Sequence, residues 1–207
     1  MGADGPSGTQ EVESPLGVIL AGGGSTRMGT DKALVDVAGD PMVKRVARAL
    51  NTVCDELLVV GRPGTLGGIP CIPDDHSGRL GPAAGVATAL RVADGRPVLV
   101  VAVDQPFLRA ETLRRLASQD RTTVPRDEVL QITCALYCQE VAPVIAAAVV
   151  DGIPLWKVVK NRARIVDEPE WRSWGEDGRS WFSVDTPEKL AEGLRLFGQQ
   201  FIRSVPS

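Results

Sequence analysis

The 207-residue chain is 43% hydrophobic and carries 23 basic against 26 acidic residues, a formal net charge of −3. That apolar content suffices for a sizeable core, and the length fits one domain. A balance so near neutrality gives no electrostatic footprint for nucleic acid or an anionic membrane, so a highly charged ligand must be held by local charges. No run of 18 apolar residues is present, and residues 1–14 have neither the basic nor the apolar region of a signal peptide. The expectation is a disordered tail over 1–14, a single domain over 15–200 and a cytoplasmic location. Cys54, Cys71, Cys134 and Cys138 form no C-x-x-C pair, and the one histidine, His76, completes no zinc spacing. These thiols are read as small core or surface residues in a reducing compartment.

Leu16–Leu20 is an apolar run that predicts a buried strand, and a glycine-rich loop follows it. Gly39 to Pro41 is a turn. Met42, Val43, Val46, Ala47 and Leu50 then have helical spacing, predicting a helix to about Thr52. Glu56 to Val60 and Ile69 to Ile72 read as strands, the first ended by Gly61 to Gly64. A helix is expected from Gly81 to about Ala93, then a strand over Pro97 to Val103, apolar on both faces as at the centre of a parallel sheet. Glu111 to Ser118 is helical, and Thr122 to Pro125 and Leu130 to Tyr137 are strands. Val141 to Val150 and Leu155 to Lys160 are helices, with weak strands at Ile165–Val166 and Trp181 to Val184. Pro187 opens a last helix that ends near Phe197. Strands alternating with helices predict an α/β, Rossmann-like doubly wound fold: a mostly parallel sheet with helices on both faces.

The most informative stretch is Leu16 to Leu34, LGVILAGGGSTRMGTDKAL. Glycines after a strand let the backbone approach an anion, and successive N–H groups in such a turn form a concave anion site. Arg27 and Lys32 supply charge for triphosphate oxygens and for the departing pyrophosphate; otherwise they are ordinary exposed bases. The loop is not a Walker A motif, because Gly29 is followed by Thr30-Asp31-Lys32, and it lacks the third glycine of the dinucleotide fingerprint. Asp104 directly follows the most apolar strand, where a carboxylate is placed to hold Mg²⁺ together with substrate phosphates, or else to shape a turn. In a doubly wound sheet both segments fall at strand carboxyl ends and line one crevice. Trp156, Trp171, Trp174 and Trp181, near Lys157, Lys160, Arg162 and Arg164, form either a stacking and anion-binding wall or plain packing and a dimer surface.

Leu20 to Lys32 matches L-x-G-G-x-S-x-R-M-G-x-D-K and resembles the molybdenum cofactor guanylyltransferase family, MobA-like nucleotidyltransferases. Val103-Asp104-Gln105-Pro106 resembles that family's C-D-x-P, with Val103 in place of Cys. Gly81-Pro82-Ala83-Ala84-Gly85 resembles its G-P-L-A-G, read otherwise as a plain helix start. Ser183 to Glu188 resembles N-x-N-T-P-E, with Asp185 at an Asn position, where it holds metal or substrate, or else Asp185 or Thr186 merely caps the last helix. The resemblance implies the nucleotide-diphospho-sugar transferase-like fold. It also implies transfer of GMP from GTP to the terminal phosphate of molybdopterin, with pyrophosphate released. It assigns catalysis to Arg27, Lys32 and Asp104, and metal binding to Asp104 and Asp185 with Mg²⁺ as cofactor. Nucleotide contacts fall on Leu20, Ala21, Gly22, Gly23, Gly24, Ser25, Lys32, Asp75, Gly81, Gly85 and Asp104. The implied partners are GTP, molybdopterin and molybdoenzyme apoproteins or their chaperones, with no nucleic acid and no membrane. Two alternatives stand beside this reading: a cytidylyl- or sugar-phosphate nucleotidyltransferase, and a non-catalytic nucleotide or cofactor carrier.

Overall fold

The computed structural model describes residues 14–22, 31–74 and 81–198. The first half holds β1 (Leu16–Leu20), a 3-10 turn (Lys32–Leu34), β2 (Asp36–Val37), β3 (Asp40–Pro41), α1 (Met42–Leu50), β4 (Leu57–Val60), β5 (Gly64–Leu66), β6 (Ile69–Ile72), α2 (Pro82–Val92) and β7 (Val98–Ala102). Next come α3 (Ala110–Ala117), β8 (Thr123–Asp127), β9 (Val129–Leu130), β10 (Cys134–Tyr137), α4 (Ala142–Val150), α5 (Leu155–Val159), β11 (Arg164–Val166), α6 (Glu168–Ser173) and α7 (Pro187–Phe197).

The main sheet has the order β11-β8-β10-β7-β1-β4-β6-β5, with β9 paired to β8 off that path. β1 pairs in parallel with both β4 and β7, and β4 in parallel with β6. β10 and β5 run against their neighbours. Side chains alternate between the two faces, as a strand's period of two requires. Ile19 of β1 and Leu99 and Val101 of β7 join a core under α1, α3 and α6. Leu16, Val18, Val98 and Val100 join the opposite core, under α2, α4 and α5. Burial on both sides is why β1 and β7 read as continuous apolar runs.

A smaller third core closes the carboxyl edge of the sheet. Val37, Met42, Phe107 and Val184 are buried there against Phe182, Leu190, Leu194 and Phe197. Phe107, Phe182 and Phe197 form a ring cluster with centroids 5.4–5.9 Å apart, a spacing that suits edge-on aromatic contacts. Helix α7 starts where the sequence predicts: Thr186 accepts from Lys189 N at 3.3 Å, and Pro187 fills the first turn. The segment leading to it is pinned by Glu176, whose buried carboxylate accepts from Thr112 Oγ1 at 2.5 Å and from Gly178 N at 2.8 Å.

Several elements differ from the sequence expectation. The predicted strand from Leu130 to Tyr137 is broken at residues 131–133, where a turn closed by Cys134 N donating to Gln131 O at 2.9 Å separates β9 from β10. β7 is central, yet β10 beside it is antiparallel, because the tight β8–β9 turn at Glu128, which takes φ +57, reverses the chain before β9 and β10. Trp181 to Val184 is not a strand: Arg179–Trp181 is a 3-10 turn. β2, β3, β5 and α6 escape the sequence reading, being six residues or fewer, too short to show a period. The expected tail lies outside the described residues except for Ser14, whose hydroxyl donates to Asp55 Oδ2 at 2.7 Å.

Gly193 of α7 is buried, and a Cβ built on it would lie 2.3 Å from Phe107 Cε2 and 3.0 Å from Phe182 Cε1. Gly→Ala in an open helix gains ~1 kcal/mol, whereas overpacking a core costs ~1–3 kcal/mol. Gly193→Ala is therefore expected to lower the urea midpoint; a raised midpoint would show that the third core has room for a methyl.

Candidate functional site

β1 and β7 lie side by side, but their chains depart in opposite directions. β1 continues through α1 to β4 on one side, and β6 returns through α2 to β7 on the other. Such a switch point leaves a crevice at the strand carboxyl ends. Ala21 N donates to Val60 O at 2.9 Å, and Val103 N donates to Leu20 O at 3.0 Å, so the crevice floor is tied to both neighbouring strands.

The first residue over this floor is Lys32. Its turn is capped by Asp31, whose Oδ1 accepts from Ala33 N at 3.2 Å. The Lys32 ammonium donates to Asp104 Oδ2 at 2.8 Å and also to Asp185 Oδ1. Asp104 sits just past β7, and its carbonyl accepts from Val184 N at 2.8 Å, which brings the segment before α7 to the crevice. Lys32, Asp104 and Asp185 thus meet from three distant parts of the chain. Thr186, and not Asp185, caps α7, leaving the Asp185 carboxylate for the crevice.

The electrostatics follow from this contact. Burial pulls the Lys32 pKa down, but hydrogen bonds and charge attraction from Asp104 and Asp185 outweigh it, and the net direction is up. The Asp185 carboxyl is held below its ordinary value, first by the Lys32 hydrogen bond. Two carboxylates around one ammonium form a place for positive charge. Among the described residues no group of three or more His, Cys, Asp or Glu could hold a metal ion. Two hard oxygen donors brought together at the crevice, Asp104 and Asp185, nevertheless fit Mg²⁺, which keeps several waters and needs only one or two carboxylates. The Lys32 ammonium marks the same spot as favourable for a cation.

The remaining predicted residues divide. Leu20 ends β1, and Ala21 and Gly22 follow it at the crevice. Gly81 precedes α2 with φ +62 and ψ −152, a backbone state that only glycine adopts freely. Gly85 is buried, and a Cβ there would lie 2.8 Å from Leu20 Cδ2, so its lack of a side chain admits Leu20 and lets α2 sit close on the sheet. Gly23, Gly24, Ser25, Arg27, Asp75 and His76 lie outside the described residues. Trp171, Trp174 and Trp181 are core residues, Trp171 and Trp181 packed edge-on at 5.2 Å, which favours packing over a ligand wall. Trp156 alone is exposed, with the Lys157 ammonium 5.6 Å from its ring centre. The four cysteines are free and buried, and burial raises every thiol, those of Cys54 and Cys138 to about 12. They are core thiols with little thiolate at neutral pH.

Two residues at the site escape the sequence reading. Gly61, at φ +115, touches the backbone of Gly22: a Cβ on it would lie 2.4 Å from Gly22 Cα. Arg62 donates from Nη1 to Asp31 Oδ2 at 2.5 Å. Both follow β4 directly, and position past a strand's carboxyl end, the signal that pointed to Asp104, was available for them too.

A family model described as MobA-like NTP transferase domain matches residues 17–165. The chain is 37% identical over 196 residues to a probable molybdenum cofactor guanylyltransferase of Natronomonas pharaonis, covering 84% of this chain and 94% of that one. It is 34% identical over 190 residues to a probable molybdenum cofactor guanylyltransferase of Pelotomaculum thermopropionicum, covering 85% and 90%. Molybdopterin-guanine dinucleotide biosynthesis protein A of Archaeoglobus fulgidus superposes with a TM-score of 0.74 at 22% identity, over 89% of this chain and 99% of that one, and shows the shared fold.

The Lys32 contact sets a pH window. Asp185, its pKa lowered by folding, contributes stability above the ordinary carboxylate value of about 4 and loses it as pH falls through the lowered value. Lys32, its pKa raised, contributes below the ordinary lysine value of about 10.4 and loses it as pH rises through the raised value. In Lys32→Met, carbon-detected NMR titration is expected to show the Asp185 carboxyl moved up from its wild-type value. An unmoved titration would mean that Lys32 does not hold it.

Proposed function

The chain belongs to the MobA-like NTP transferase family, and on that premise we propose that it transfers GMP from GTP to the terminal phosphate of molybdopterin. The products are pyrophosphate and the guanine dinucleotide form of the cofactor. The observation that carries the reading is the convergence of Lys32, Asp104 and Asp185 at the carboxyl ends of β1 and β7.

A phosphate oxygen of molybdopterin attacks the α-phosphorus of GTP, and the bond to the β-phosphate oxygen breaks. No covalent enzyme intermediate is needed, so the protein contributes position and charge. Lys32, and Arg27 in the loop before it, neutralise the triphosphate and the departing pyrophosphate. Lys32 leaves the two carboxylates as the triphosphate takes its ammonium. Asp104 and Asp185 would hold Mg²⁺, which when bound supplies Lewis-acid charge at the phosphate oxygens. Leu20, Ala21, Gly22, Gly81 and Gly85 support the nucleotide side of the crevice, and the family resemblance assigns further nucleotide contacts to Gly23, Gly24, Ser25 and Asp75. GTP and molybdopterin are the small-molecule partners, and molybdoenzyme apoproteins or their chaperones are the receivers of the product. A cytoplasmic site of action without nucleic acid or membrane completes the proposal; no described helix is long and apolar enough to cross a membrane.

Pyrophosphate release with Mg²⁺, molybdopterin and each of the four nucleoside triphosphates tests the reading. GTP-selective release that requires molybdopterin is expected. CTP selectivity would contradict the donor, and GTP binding without turnover would favour a carrier. Asp104→Asn should slow release by about 100-fold or more, the scale for losing one electrostatic contact to the reacting group. A wild-type rate in that variant would remove Asp104 from the mechanism.

A further inference from the structure

We propose that Arg62 is a positioning residue for Lys32, acting through Asp31; its effect on turnover rests on the function proposed above. The backbone that carries Arg62 is fixed: Gly61 N and Arg62 N both donate to Ile72 O, at 2.9 and 3.3 Å. Gly61 lies against Gly22 with no room for a side chain, which brings the next residue over the start of the glycine-rich loop. From there Arg62 reaches across to Asp31 Oδ2 at 2.5 Å. The other Asp31 oxygen accepts from Ala33 N, and the Asp31 carbonyl accepts from Leu34 N at 2.9 Å. One carboxylate therefore joins the end of β4 to the turn that aims Lys32. Through Lys32 the link continues to Asp104 and Asp185.

Position is what this pair offers. The Arg62 and Asp31 side chains are 36% and 32% exposed, and an ion pair so open to water adds little to global stability. Its directional hydrogen bonds still fix where the turn sits. The reaction is sensitive to that, because a misplacement of about 1 Å can cost a reacting site roughly 100-fold. A rival role for Arg62 is direct contact with the triphosphate, and a double-mutant cycle separates the two.

The test uses Arg62→Gln, Asp31→Asn and the double variant of the full chain, with Arg62→Lys as the conservative change. The first readout needs no ligand: the side-chain ¹⁵N resonance of the hydrogen-bonded Lys32 ammonium. It should lose its protected character alike in Arg62→Gln and Asp31→Asn while the melting temperature stays near wild type. The second is kcat for GTP-dependent pyrophosphate release. Each single variant should lose about 10-fold or more, the double should lose no more than the worse single, and Arg62→Lys should recover part of the rate. An unchanged Lys32 resonance in Arg62→Gln would overturn the proposal, as would losses that multiply in the double variant. If wild type shows no turnover, the proposed function fails, while the Lys32 resonance still decides the role of Arg62.

Discussion

The structure of the crevice depends on one contact, the Lys32 ammonium held between Asp104 and Asp185. These residues are 72 and 153 positions from Lys32 in sequence, so the contact forms only when the whole sheet and the last helix are in place. It gathers one positive and two negative charges where the fold leaves its opening. An arrangement of this kind can exchange its internal cation for an external one and release the lysine to an anion. In the proposed mechanism the three groups would serve the empty and the loaded site in turn.

The fold supplies the contact in layers. The switch between β1 and β7 opens the crevice, and each strand is locked by an apolar core on each face. The third core, around Phe107, sets α7 across the carboxyl edge and carries Asp185 to its place. Close backbone approaches do the finer work. Gly22 against Gly61, Gly85 against Leu20 and Gly193 against Phe107 each remove a side chain so that two segments can meet. These glycines therefore serve packing.

Much of this was legible in the sequence because it rests on local pattern. The apolar runs of β1 and β7, the spacing of α1 and the Thr186-Pro187 start of α7 are local signals, and the structure follows them. That the glycine-rich segment and Asp104 line one crevice was visible from their places after strands; the contact of Lys32 with Asp104 was not, because nothing local encodes a pairing across 72 residues. Arg62 was hidden for another reason: an arginine in a Gly-Arg-Pro-Gly turn looks like ordinary surface until Asp31 is seen beside it. The reversal of β10 was hidden by a turn built on Glu128, a residue with no turn preference of its own. For the tryptophans the sequence left a ligand wall and plain packing both open, since closeness in sequence does not tell them apart, and three of them pack in the core.

A crystal structure with GTP and Mn²⁺, with anomalous scattering used to locate the metal, tests the central claim most directly. The account predicts a metal peak between the Asp104 and Asp185 carboxylates and the Lys32 ammonium moved onto the triphosphate. Nucleotide bound elsewhere, with Lys32 still between the two carboxylates and no metal beside them, would contradict it.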